Sequence, residues 1–470
     1  MPGWRLDGKL VSMTAPLTIA PADALGRRRF LGATATAFAA LAASGCMTRG
    51  STAAAPRAAA GGFAGYGALR PDPAGLLDLP EGFSYRVLSR LGDAMDDGGT
   101  VPDRADGMGC FALGNGEIAL VRNHELQPQH DAGGSIAKGF GKRNGKFVPG
   151  GTTTIVLDAA TLTVKRQFRS LGGTIRNCSG GTTPWGTWLT CEEAPTGPGQ
   201  PRGDGLERNH GWVFEVPASA RGLVDAVPLT AMGRFNHEAA AVDPATGIVY
   251  QTEDRDDSVL YRFLPEVPGK LTAGGRLQAM VVEGLTDTRN WPETGNTAGM
   301  VVGQQYRVTW VDLDDVEAPR DDLRQRAAAK GAALVARGEG LHMGENAVFA
   351  CCTSGGAKQL GQILKLTPGL AGAPDMVELF FESESTDQFN YGDNLTVAPN
   401  GHLIVCEDQY TDVVDNHIRG ITPAGQAYTL AQLTAQTELA GGCFSPDGTV
   451  LFVNVYSPTA TLAITGPWAA

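Results

Sequence analysis

The chain has 470 residues, 42% of them hydrophobic and 19% charged, which supports a large core and excludes a disordered polyelectrolyte. A net charge of −12 excludes the lysine- and arginine-rich surface of a general nucleic-acid binder. With 63 glycines and 28 prolines, the composition favours many short strands joined by tight turns over long helices.

The first 46 residues read as an address. Arg27-Arg28-Arg29-Phe30-Leu31 precede an apolar, alanine-rich run to Ala43, followed by Ser44-Gly45-Cys46. A cationic start, a short apolar stretch and small residues before a cut describe a signal peptide, and paired arginines ahead of Phe-Leu point to the twin-arginine translocase, which exports folded proteins. The apolar run is too short to cross a bilayer, so no membrane span is expected in the mature form. Ser44-Gly45-Cys46 also resembles a lipid-anchor site, with Ala43 where leucine is usual. Residues 47–75, rich in alanine, glycine and proline, read as a linker, and residues 76–470 as the folded domain.

Beyond the linker one unit recurs six times: a strand, a small turn containing glycine, a second β-rich strand and a polar residue. The copies run from Asp106 to Glu125, Asn177 to Glu192, Asn236 to Glu253, Glu339 to Thr353, Asp393 to Glu407 and Gly441 to Asn454. PATG, APNG and SPDG are hairpin turns in which proline presets φ and asparagine or glycine accepts φ > 0. Further alternating runs at 152–168, 211–217, 259–265 and 361–368 supply outer strands. Four-stranded units repeated about an axis make a β-propeller, so the sequence predicts an all-β, six-bladed β-propeller. Closure is expected from a strand at Phe83–Ser89 joining the last blade. Asp321–Arg337, rich in alanine and arginine, predicts a small helical insertion before the fourth copy, packed outside the ring or over one rim.

The two strands of a hairpin return to their start, so the polar ends of each copy should meet at one end of the central channel. That brings Asp106, Cys178, Glu238, Glu339 and Asp393 towards Glu125, Glu192, Glu253 and Glu407. Two unit charges about 4 Å apart repel by on the order of 4 kcal/mol at an effective dielectric near 20, so such a set calls for cations. Hard oxygen donors suit calcium, magnesium or ferric iron, and a Cys178 thiolate adds a soft donor that calcium would not recruit. A mixed site for a transition metal and calcium follows; the competing reading has these acids capping strand ends in solvent. Asn123, Asn177, Asn236 and Asn394 serve either as neutral ligands or as turn formers. His124 and His237, next to Glu125 and Glu238 on strands, should face away from the channel.

The seven cysteines after Cys46 contain no CxxC pair, and their odd number leaves at least one thiol unpaired. No GxSxG elbow and no Walker A loop is present. The acidic run Glu253–Asp257 either extends the site or is a solvated loop.

Taken together, the leader, LPEGFSYRVLSRLGDAMDDG (79–98), LVRNHE (120–125), RNCSGGTTPWGTWLTCEE (176–193) and GRFNHEAAAVDP (233–244) resemble the PhoX-type alkaline phosphatase family. The resemblance spans roughly residues 76–460. It implies a six-bladed propeller with a mixed iron–calcium cluster that hydrolyses small-molecule phosphomonoesters outside the cytoplasm. It further implies Cys178 as the thiolate ligand of iron and Glu125, Glu192, Glu238 and Glu253 as carboxylate ligands, with Glu339 and Glu407 completing the motif positions. Metal-assisted hydrolysis needs no serine or histidine nucleophile, in line with the missing elbow. Arg337, beside Glu339, is the candidate phosphate contact; its alternative role is that of a helix C-terminal arginine meeting the macrodipole. Two other functions compete: a calcium-dependent propeller lactonase or esterase, and a propeller that only binds.

Overall fold

Antiparallel ladders form where the sequence alternates, and left-handed glycines close their turns. Gly247, Gly401 and Gly448 sit at φ 74°, 79° and 72° in the PATG, APNG and SPDG turns, a conformation costing a residue with a Cβ about 1 kcal/mol or more. The computed structural model describes residues 65–292, 299–370, 372–409, 411 and 413–468. The signal peptide, Cys46 and most of the linker lie outside the described residues.

Six blades follow in chain order. Their innermost strands are Ala105–Gly114, Asn177–Thr182, His237–Val242, Gly338–Met343, Gly392–Val397 and Leu439–Phe444. Each pairs with the strand that follows it, and each packs against the inner strands of the blades on either side, the last against the first. Ser84–Arg90 closes the ring by pairing with Ala460–Thr465, the third strand of blade 6, as the sequence predicts.

Side-chain alternation builds the core. Ala239 and Ala241 face blade 4, while Ala240 and Val242 face blade 2. The same rule applies around the ring, so an apolar layer separates every neighbouring pair of blades. Burial on both faces explains why the inner strands are rich in small residues.

Three features depart from a uniform ring. Blade 2 has three strands, because Pro217 and Pro228 bracket a stretch without alternation and proline cannot donate to a ladder. An extra strand, Gln305–Asp312, pairs with Gly275–Val282 of blade 3 and Asp375–Glu382 of blade 4, fusing the two into one sheet. The predicted helix over Asp321–Arg337 is shorter, at Leu323–Ala329; Gly331 at φ 93° ends it, and Leu334–Val335 becomes a strand instead. This insertion lies over the rim of blades 2 and 3, its Leu323 and Ala327 in their shared core.

The end of the expected linker is ordered. Leu69–Arg70 pairs with Leu79–Pro80, which extends blade 5, and Asp72 accepts the amides of Ala74, Leu76 and Leu77 and the Tyr85 hydroxyl.

Candidate metal centre

Every inner strand carries a β-bulge at the same place. The doubled residues are Asp106–Gly107, Cys178–Ser179, Glu238–Ala239, Glu339–Gly340, Asp393–Asn394 and Gly441–Gly442. A bulge breaks the alternation and re-aims a side chain. Here its first residue in five blades is an acid or a cysteine, and these five side chains share one end of the channel; blade 6 contributes Gly441. In blades 1 and 4 the second residue is a glycine because neighbouring inner strands touch there: a Cβ on Gly107 would stand 2.6 Å from Ser179 Cα.

Cys178 Sγ and one oxygen each of Glu193 and Glu238 lie within 4.8 Å of one another, as do oxygens of Glu238, Glu339 and Asp393. All are buried, and Glu238 belongs to both groups. Asp106, 5% exposed, keeps one carboxylate oxygen without a partner. Burial, then the charges of Asp393 and Glu125, hold the Asp106 carboxyl well above the usual range. Burial followed by neighbouring acids does the same to Glu238 and Glu339, and lifts Asp393 to about 8. Glu193 rises to about 7, burial again first. The Cys178 thiol is pushed far up by burial and then by Glu238 and Glu193. In the absence of cations these groups hold their protons; a multivalent ion displaces them.

The sequence places Glu192, Glu253 and Glu407 at this hub, and the structure does not. They end the second strands, paired with Asn177, His237 and Gly392, and their side chains point away. Glu192 accepts from His210 Nδ1 at 2.6 Å and from the amides of Ile175, Gly211 and Trp212. Glu253 accepts from the Tyr261 hydroxyl at 2.6 Å and pairs with Arg324. Glu407 is gripped by Arg419 and His417, both at 2.8 Å, which hold its carboxyl below the usual range in spite of burial. The residues one step later, Glu193, Asp254 and Asp408, take the hub positions, since strand neighbours face opposite ways. Their amides donate to the carbonyls of Arg176, Asn236 and Tyr391, as that of Glu125 does to Arg104. Glu125 differs from the other second-strand acids in that its strand ends a residue earlier, at His124, so that Glu125 itself occupies the position of Glu193, Asp254 and Asp408.

A ring of cations surrounds the acids. Arg104, Arg176 and Arg337 directly precede their inner strands, all at positive φ. Arg176 contacts Glu125 at 2.6 Å and also Glu193. Arg337 binds Asp254 at 2.6 Å and Glu339 at 2.9 Å, so it belongs to the hub and not to a helix terminus. Arg104 donates to the Tyr456 hydroxyl at 2.8 Å, and that hydroxyl donates to Glu125. Arg104, Arg176, Glu193, Asp408 and Tyr456 escape the sequence reading, and Asp254 enters it only within the acidic run Glu253–Asp257. The recurrence of arginine two residues before Asp106, Cys178 and Glu339 is the signal that would have revealed the first two.

The remaining polar residues support the hub. Asn123 donates to the carbonyls of Cys178 and Ser179 at 2.9 and 2.7 Å, fixing the bulge, and Asn177 binds Thr174 and Thr190. Asn236 donates to Glu193 at 2.6 Å and Asn394 to Asp393 at 3.0 Å. His124 and His237 face away: the first bonds Thr153 and the Asp103 carbonyl, the second bonds the Gly233 carbonyl and stacks on Phe235. All seven described cysteines are free thiols. No described helix is long and apolar enough to cross a membrane.

The family model of alkaline phosphatase PhoX matches residues 64–165 and 157–459. The chain belongs to the PhoX alkaline phosphatase family. Among solved structures, Pseudomonas fluorescens PhoX in complex with vanadate, a transition state analogue, superposes with a TM-score of 0.65 at 19% identity, covering 83% of this chain and 96% of that one. That likeness establishes the shared propeller fold. The gluconolactonase XC5397 from Xanthomonas campestris gives a TM-score of 0.39 at 14% identity, over 85% of this chain and 98% of its own. No curated protein sequence matches the chain.

Proposed function

We propose that the protein is an exported phosphatase that hydrolyses phosphomonoesters at a mixed iron–calcium centre in the propeller hub. The observation that carries this reading is the ring itself: five blades each offer one side chain from the same bulge, four carboxylates and one thiol, all buried. Buried acids at this density are tolerable only when paired or metal-bound, and the unpartnered Asp106 oxygen is a donor awaiting a cation. The donor set fits two kinds of ion. Cys178, Glu193 and Glu238 make a sulfur-containing group suited to iron; Glu238, Glu339 and Asp393, with Asp106 beside them, make an oxygen group suited to calcium.

When bound, the ions supply Lewis-acid charge that counters the negative charge of a phosphoryl group. The chain supplies the rest. Arg337, fixed by Asp254 and Glu339, is the candidate contact for the phosphoryl oxygens, whose geometry a guanidinium matches, while Arg176 holds Glu125 and Glu193 in place. Hydrolysis forms one bond from water oxygen to phosphorus and breaks the ester P–O bond, and the alcohol leaves with a proton.

The export part of the proposal is supported by the twin-arginine leader in the sequence, an address for the periplasm or the outside of the cell. The experiment is elemental analysis of the exported protein beside a phosphomonoesterase assay. Iron and calcium together, with activity lost on exhaustive chelation, is the expected result. Calcium alone favours a lactonase or esterase, for which the buried Cys178 thiol has no use, and an absence of metal reduces the hub to a structural one.

A further inference from the structure

The hub opens sideways. Between blades 2 and 3, under the insertion, lies a cleft of about 700 Å³. At its inner end stand Arg176 and Glu193, the latter one of the three side chains grouped at Cys178. Arg202 and Arg320, both exposed, and the half-buried Arg255 and Asp321 line it further; Arg255 also donates to the Asp254 carbonyl at 3.2 Å. The wall is built: Gln200 donates to the Pro319 carbonyl at 2.7 Å and accepts from the buried Arg234 at 2.8 Å, tying the loop of blade 2 to the insertion.

The charge pattern runs against the rest of the molecule. The chain carries −12 overall, yet four guanidinium groups here face two carboxylates. Arg176 is committed to the hub acids. Arg255 lies 3.6 Å from Asp321, and Arg320 holds Asp322 at 2.7 Å on the surface. Arg202 makes no hydrogen bond or ion pair among the described residues. On the phosphatase reading, a phosphoryl group at the hub would lie at the Arg176–Glu193 end, with the rest of the cleft beside the alcohol side of the ester.

We propose that the cleft receives the alcohol portion of the phosphomonoester and selects for one bearing a second anionic group, a phosphate or carboxylate, held by Arg202 together with Arg255 and Arg320. The proposal rests on the phosphatase reading and adds the substrate class to it. Guanidinium groups recognise such anions bidentately. Because Arg202 and Arg320 are water-exposed, each should contribute modestly.

The test uses the full, metal-loaded chain and two alkyl esters, glycerol 1-phosphate, whose alcohol carries no charge, and fructose 1,6-bisphosphate. The wild type should prefer the bisphosphate in kcat/KM. Arg202→Gln should lower the ratio of the two kcat/KM values by about three- to tenfold, Arg202→Lys by less, and Arg202→Gln with Arg320→Gln by more, mainly through KM for the bisphosphate. A ratio unmoved by the double variant overturns the inference and leaves the phosphatase reading standing. Hydrolysis of neither ester overturns the phosphatase reading itself.

Discussion

Glu192 and Glu193 are neighbours with opposite duties. Glu192 is fully buried and saturated, accepting from His210 and three backbone amides, so it locks the loop that returns at residues 209–212. Glu193 meets Arg176, Asn236 and the Cys178 group. Charge-assisted bonds in a buried site contribute roughly 1.5–3 kcal/mol each, and leaving partners unsatisfied adds to the loss. Glu192→Gln should therefore lower stability by about 2–3 kcal/mol while metal content per folded chain stays as in the wild type. Glu193→Gln should do the reverse: a small change in unfolding temperature, a clear drop in retained metal. Thermal unfolding and elemental analysis of both variants decide it, and the opposite pattern would show that the strand register has been misread.

At the scale of the element, the inner strand is where the repeat becomes chemistry. Its bulge aims one residue at the axis, and at Gly107 and Gly340 it leaves no room for a side chain on the next, since adjoining blades approach within contact distance. A Cβ on Gly340 would meet the Asp393 carbonyl oxygen at 2.5 Å and the Leu395 amide nitrogen at 2.6 Å, both backbone atoms that cannot swing aside. Gly340→Ala should cost about 1–3 kcal/mol by overpacking. Gly222→Ala, with nothing within 4 Å of the new methyl group, should stay within about 0.5 kcal/mol. Urea unfolding of the two variants measures the difference; equal stability would mean that the inner strands have room to move apart.

At the scale of the molecule, the ring holds together a set of acids that no single blade would assemble. Carboxyls titrate near 4 in the unfolded chain, whereas Asp393 reaches about 8 and Glu193 about 7 in the folded metal-free protein, and Asp106, Glu238 and Glu339 also lie high. With folded-state values raised, the protonated forms contribute stability that is fully present below about pH 4 and is lost as pH rises through about 7 to 8. The metal-free protein should accordingly melt at progressively lower temperature between pH 6 and pH 9. Bound cations replace the protons and remove that slope, and their uptake at pH 7 should release protons into unbuffered solution. A metal-free melting temperature that rises over this interval would contradict the assignment of a crowded acidic hub.

Much of this was settled by local pattern. Period-two alternation, proline–glycine turns and a unit repeated six times are short-range properties, and they sufficed for the propeller and for a closing strand at Phe83–Ser89, found at Ser84–Arg90; the same repeat put Asp106, Cys178, Glu238, Glu339 and Asp393 at equivalent positions of five blades. Tertiary structure decided which acid of each adjacent pair turns inward, because a one-residue difference in where a strand ends reverses every side chain, and sequence leaves that end uncertain by more than one residue. It also decided the arginines. The spacing of Arg176 and Arg337 before Cys178 and Glu339 is a local pattern, but their acid partners are not: Glu125 and Asp254 belong to the neighbouring blades and meet these arginines only in the folded ring.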